Sequence, residues 1–156
     1  MEFTRKSLSE QHYLYVDREV SLQNPVDIGA AMGSAFMEVM GFAGSNGIAP
    51  RSMPMSLYLD MPNDGMMRFR GGVFVSAEDA ARASGNVKAG SIPAGDVFMT
   101  THVGPYSHLN VSHKALWDHM TSLGITKAMP VWEVYVDDPT KVAQADCRTE
   151  IFRAVG

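Results

Sequence analysis

Met129-Pro130-Val131-Trp132-Glu133-Val134-Tyr135-Val136-Asp137-Asp138-Pro139 echoes an earlier run, Met53-Pro54-Met55-Ser56-Leu57-Tyr58-Leu59-Asp60-Met61-Pro62. Aligned on Tyr58 and Tyr135, both read Tyr-x-Asp-x-Pro, with one residue of slippage before the tyrosine. Such a repeat predicts two copies of one supersecondary unit that bury a shared core, with a groove between them. The copies differ at one charged position. Glu133 stands where the first copy has Ser56.

Outward from these runs the same order of elements recurs. Gln11 to Val20, rich in Tyr and Val, reads as a strand. Asn24-Pro25 starts a helix, with Asn as N-cap, Pro at N1 and Asp27 against the dipole. Ile28, Met32, Ala35, Phe36, Val39 and Met40 form its apolar face, and Gly41, Gly44 and Gly47 are expected to end it. Met53 to Met61 alternates as a strand, Asn63-Asp64-Gly65 is a turn, and Met66 to Ser76 returns as the hairpin partner.

Ala77 to Gly95 reads as a connector rich in Ala, Gly, Ser and Pro. The order then restarts. Asp96 to Val103 is a strand, Ser107 to Leu123 a helix with Leu109, His113, Leu116, Trp117, Met120 and Leu123 on its apolar face, and Pro130 to Asp137 and Cys147 to Val155 are strands. The expected fold is α+β: duplicated β-α-β-β units, an antiparallel sheet and two helices, with halves at about 11–76 and 96–155 of a single domain, 1–156.

Alternation sorts the strand side chains. Met55, Leu57 and Leu59 share one face, and Ser56, Tyr58 and Asp60 the other; Trp132, Val134 and Val136 oppose Val131, Glu133 and Tyr135. The purely apolar faces are expected under the helices. The mixed faces would then be the free sides, meeting at a pseudo-twofold around a pocket lined by Tyr58, Tyr135 and Glu133.

Composition bounds the function. Of 156 residues 46% are hydrophobic, enough for a core, and the net charge of −4 without a Lys/Arg run argues against direct nucleic-acid binding. A lone cysteine, Cys147, excludes an internal disulfide and fits a reducing compartment. The N-terminal residues hold no apolar signal segment, and no run of about 20 apolar residues is read as a membrane span. A cytoplasmic protein without membrane association is expected. Twelve methionines suit gap-filling in a core or an adaptable apolar surface.

Glu133 is the candidate for chemistry. A carboxylate flanked by Trp132, Val134 and Tyr135 costs several kcal/mol to bury unless paired or protonated. Three readings stay open: a strand glutamate paired with Arg68, Arg70 or Arg148; a counter-charge for a cationic ligand between aromatic rings; or a general base toward water. His102, His108, His113 and His119 form no i,i+4 pair and no metal set, and His113 reads as a hydrogen-bonded core residue. No metal or cofactor is expected, and Cys147 reads as a structural thiol.

Thr101-His102-Val103-Gly104-Pro105-Tyr106, then Trp132-Glu133-Val134-Tyr135-Val136-Asp137-Asp138-Pro139, then Arg148-Thr149-Glu150-Ile151-Phe152 together resemble the GyrI-like family. That family includes the effector-binding domains of the regulators BmrR and Rob. The resemblance runs from about Gln11 to Val155. It departs where the family often ends on Pro-Val and this chain has Ala154-Val155, and 77–95 matches no motif.

The resemblance implies a pocket for flat, apolar, often cationic compounds. Glu133 would meet the positive charge, with Tyr106, Tyr135, Tyr58 and Ser56 lining the site. With nearly all of the chain used by the repeats, a stand-alone member without a DNA-binding domain is expected. Some stand-alone relatives hydrolyse cyclopropane-containing genotoxins, using the same glutamate to direct water, and others interact with DNA gyrase. The expected function is therefore small-molecule binding. Hydrolysis with Glu133 as base, or a protein partner such as gyrase or a regulator, are the alternatives.

Overall fold

A computed structural model describes residues 1–59 and 64–155. The chain runs β1 (Thr4–Leu8), β2 (Gln11–Ser21), α1 (Pro25–Ser45), β3 (Met55–Tyr58), β4 (Met66–Val75), α2 (Ala77–Ala80), β5 (Lys88–Ile92), β6 (Gly95–Val103), α3 (Leu109–Ser122), β7 (Val131–Tyr135) and β8 (Arg148–Ala154). Tyr106–His108 and Gln144–Asp146 form short 3-10 turns. The strands build one antiparallel sheet in the order β1-β6-β8-β7-β3-β4-β2-β5. The α+β class and the duplicated order hold.

The repeat is longer than the sequence suggests. The hairpins β3-β4 and β7-β8 meet at the centre, with β2 and β6 outside them and β5 and β1 at the edges. Each unit is therefore β-β-α-β-β, and its first strand pairs in the opposite half, β1 with β6 and β5 with β2. The polar β1 reads as an N-terminal tail, and β5 falls within the expected connector at 77–95, which also contains α2. β5 carries no alternating bulky residues because it lies under Tyr13. A Cβ on Gly90 would sit 2.4 Å from that ring.

Two residues link β1 to β2 and two link β5 to β6, although these strands lie toward opposite ends of the sheet. Such short links require the ends to approach, so the sheet rolls up. Inside the roll, Met55, Leu57 and Trp132 pack with Tyr13, Tyr15, Ile92 and Val97. Trp132 stacks on Phe152 at 5.2 Å, an arrangement that contributes about 0.5–1.5 kcal/mol beyond its buried area. Gly72 lets the strands close up, since a Cβ there would lie 1.8 Å from the Leu14 carbonyl oxygen.

The helices cover the other face, and this inverts the expected arrangement. The all-apolar faces of β3 and β7 fill the roll, so the helices lie over the mixed faces. α1 packs Ala35, Val39 and Ala43 onto Leu14, Val16, Phe69 and Val73, while α3 packs Leu116 and Met120 onto Phe98 and Ile151. α1 starts after Asn24 with Pro at its first turn, as read, but Asn24 makes no side-chain cap bond and the helix continues through Gly41 and Gly44. Its Val26–Ser45 stretch is long and apolar enough to cross a membrane by length and composition, with mean hydropathy 1.2, contrary to the sequence reading. In the fold, Arg18 of the sheet reaches its Glu38 at 2.8 Å. Asp60, Met61, Pro62 and Asn63, part of the first repeat motif and its turn, lie outside the described residues.

Candidate functional site

The β3–β7 pair seats the centre of the molecule. Its register sets Met55 against Val134, Ser56 against Glu133, Leu57 against Trp132 and Tyr58 against Val131. Only Ser56 and Glu133 are also equivalent in the repeat. The pseudo-twofold therefore passes between them, and the one position that can hold a single charge on the axis holds Glu133.

Glu133 is 3% exposed, beneath the helices. Tyr58 donates its hydroxyl to Glu133 Oε1 at 2.9 Å, and its repeat partner Tyr135 donates to the same oxygen at 3.5 Å. The other oxygen, Oε2, is buried without a hydrogen bond among the described residues, and His113 Nε2 of α3 stands 3.4 Å from it. Burial, reinforced by the Glu133 charge, pushes the Tyr58 and Tyr135 hydroxyls well above the ordinary tyrosine value. Both phenols thus remain donors at neutral pH. None of the arginines considered as partners reaches Glu133: Arg68 pairs with Glu19 and Asp64, Arg70 with Asp17, and Arg148 with Asp137.

Aromatic rings surround this carboxylate. Tyr106 meets Tyr135 edge-on at 5.6 Å, Phe36 of α1 lies 5.6 Å from Tyr135, and Phe69 lies 6.5 Å from Tyr58. Met32 Sδ lies 3.7 Å from the Tyr135 hydroxyl, an alternative acceptor for its one proton. Tyr106 is placed by the turn before it. His102 Nε2 lies 2.9 Å from the Pro105 carbonyl, which can only accept, so Nε2 carries the proton and Nδ1 accepts from Ser112 at 2.7 Å. Beside Glu133, Ser56 Oγ is buried without a hydrogen-bond partner among the described residues.

The structure thus brings Ser56, Tyr58, Tyr106, Glu133 and Tyr135 together. Three neighbours were missed as site residues. His113, a core residue by its place on the apolar stripe, faces Glu133, and Met32 and Phe36 of the apolar α1 face lie beside Tyr135. The signal for His113 was present, a polar ring on an apolar stripe. Among the described residues no group of His, Cys, Asp and Glu is placed to hold a metal. Cys147 is buried and directs its thiol to the Val142 carbonyl. A surface hollow of about 310 Å³, lined by His12, Ala77, Ala80 and Gly90 among others, shares no residue with this cluster.

No curated protein matches the chain by sequence. Its fold is similar to that of the EcmrR C-terminal domain, with a TM-score of 0.75, 19% identity, and 99% of this chain and 97% of that one covered. In a cryo-EM structure of an EcmrR–DNA complex the TM-score is 0.71 at 20% identity, and the match covers 99% of this chain but 57% of that one. The chain thus spans little more than half of that protein's length. SAV2435 bound to tetraphenylphosphonium matches with a TM-score of 0.66 at 13% identity, covering 100% and 94%. A hydrolase encoded by lin2189 from Listeria innocua matches at 0.65 with 15% identity, covering 99% and 92%. A family model settles the relationship: it matches residues 1–155, and the chain belongs to the GyrI-like small molecule binding domain family.

Proposed function

We propose that this chain binds apolar aromatic cations, with Glu133 as the counter-charge and Tyr58, Tyr106 and Tyr135 as the walls. The observation that carries this reading is the buried Oε2 of Glu133, which has no hydrogen bond among the described residues and only the longer 3.4 Å approach of His113 Nε2. A carboxylate taken out of water costs several kcal/mol, and two phenols on one oxygen offset only part of it. A cation beside Oε2 supplies the missing interaction, and ring faces add their own attraction. Tyr106, 39% exposed, is the wall nearest to solvent. SAV2435, a fold relative, is seen with tetraphenylphosphonium, a ligand of this chemical class.

Thermal shift with matched compounds tests the reading. Tetraphenylphosphonium should raise Tm, because a native-state ligand stabilises by mass action, while neutral triphenylphosphine oxide should do little. Equal shifts from both would remove the counter-charge role.

The His113–Glu133 contact of 3.4 Å supports a second reading, hydrolysis with Glu133 as general base and His113 sharing the proton. Its test is product formation from a cyclopropane-bearing substrate, followed by mass spectrometry. Equal turnover by Glu133→Gln would exclude it.

A further inference from the structure

The helix-covered face of the second half carries another charge, Arg153 of β8. Arg153 is 8% exposed, and its Nε is buried without a hydrogen bond. Among the described residues no carboxylate lies within ion-pair distance of it, although the exposed Arg5, Arg68 and Arg148 all have one. Its guanidinium instead lies 4.9 Å over the Trp117 ring. The usual order is reversed, since buried charges are the ones that need partners. Desolvation lowers its pKa, but a guanidinium remains charged near neutrality.

The fold does not require a charge here. The first-half equivalent of Arg153 is Val73: Leu14 faces Val73 across β2–β4 just as Phe98 faces Arg153 across β6–β8. Val73 is fully buried in the apolar core under α1. Arg153 is also close to Glu133. In the β7–β8 register Glu133 faces Ile151 and Val131 faces Arg153, so the two charged residues are diagonal neighbours, about 7–8 Å apart at Cα. His113 and Trp117, one turn apart on α3, stand over Glu133 and Arg153 respectively. Yet the two charges do not pair. Glu133 is turned to the tyrosines and Arg153 to Trp117.

We infer that the ligand of this site is amphoteric: an apolar ring system whose cationic group meets Glu133 and whose carboxylate meets Arg153, with Trp117 as a second stacking wall. This rests on the reading of Glu133 as counter-charge. It narrows the ligand class from aromatic cations to aromatic zwitterions, and it assigns Arg153 a specificity role that Glu133 cannot supply.

A rhodamine with unsubstituted xanthene amines and its methyl ester separate the two ideas. Both carry the same flat cationic xanthene, and only the free acid adds a carboxylate, which makes it a zwitterion. Fluorescence anisotropy should show the parent binding the free acid the more tightly. Arg153→Gln should weaken the free acid about tenfold, the size of a lost charged hydrogen bond, and the ester by less than about twofold. Arg153→Lys, which keeps the charge, should recover part of the preference, and Arg153→Met serves if the glutamine variant folds poorly. If the ester binds but the parent shows no preference for the acid, or if Arg153→Gln weakens both dyes equally, Arg153 is a structural cation on Trp117 and the inference falls alone. If neither dye binds the parent, the Glu133 reading falls with it.

Discussion

Set side by side, the two halves of this sheet share every strand pairing and differ in what they place beneath their helices. Under α1 the first half has Ser56, Gly71 and Val73; under α3 the second has Glu133, Ile151 and Arg153 at the corresponding positions. Gly71 brings α1 down onto the sheet, since a Cβ there would lie 2.7 Å from that of Ala35. The first half is thereby a closed apolar core. The second half carries two buried charges with incomplete partners. Duplication built the frame, and the departures from it in one half mark where a ligand has something to satisfy.

The largest expected effect lies in the frame. Gly72→Ala sets a methyl against the Leu14 carbonyl and should cost at least about 3 kcal/mol in chemical denaturation. Its repeat equivalent, Phe152, meets no such limit, because a large ring already occupies that position against Trp132. Near-parent stability of Gly72→Ala would mean that β2 and β4 are less closely apposed than described.

The paired tyrosines give a smaller contrast. Tyr58→Phe removes the 2.9 Å bond to Glu133 and should cost about 1–3 kcal/mol, whereas Tyr135→Phe removes the weaker 3.5 Å contact and the 3.7 Å approach to Met32 Sδ and should cost less than about 1 kcal/mol. Equal losses would show that the carboxylate is centred between them.

The smallest effect concerns the swapped edge strands. Asp96 of β6 holds Ser7 and Arg5 of β1, and its repeat equivalent on β2, His12, faces Ser91 of β5 without such a bond. The Ser7 hydroxyl first, and Arg5 next, hold the Asp96 carboxyl below its usual value. Its contribution is therefore present above the unfolded pKa and is lost as pH falls through the lower folded value. Acidification below about pH 4 should loosen β1 before β5 in limited proteolysis, and Asp96→Asn should reproduce that order at neutral pH. Loosening of β5 first would contradict the assignment.

The duplicated order was legible because strand alternation, a Pro-started helix and the Tyr-x-Asp-x-Pro echo are local signals. The edge strands were not, because β1 is polar and β5 is built of small residues, and their pairing partners lie in the opposite half. Which sheet face the helices cover was also hidden. Met55, Leu57 and Trp132 look like a helix-packing face, but the two-residue links roll the sheet and bury them against Tyr13 and Val97. Glu133, Tyr58, Tyr106 and Tyr135 could be picked out because a charged or phenolic residue in an apolar strand or after a Gly-Pro turn is conspicuous. Arg153 offered a similar signal, lying in phase with the buried Thr149 and Ile151 of β8. It went unread because a terminal strand arginine is ordinarily at the surface.

The central claim is that the carboxylate on the axis serves the ligand. Calorimetric titration of tetraphenylphosphonium into the parent, Ser56→Ala and Glu133→Gln tests it most directly. The account predicts that Ser56→Ala binds within about twofold of the parent, and that Glu133→Gln loses at least about tenfold in affinity while melting no lower without ligand. Parent-like affinity in a folded Glu133→Gln would contradict it.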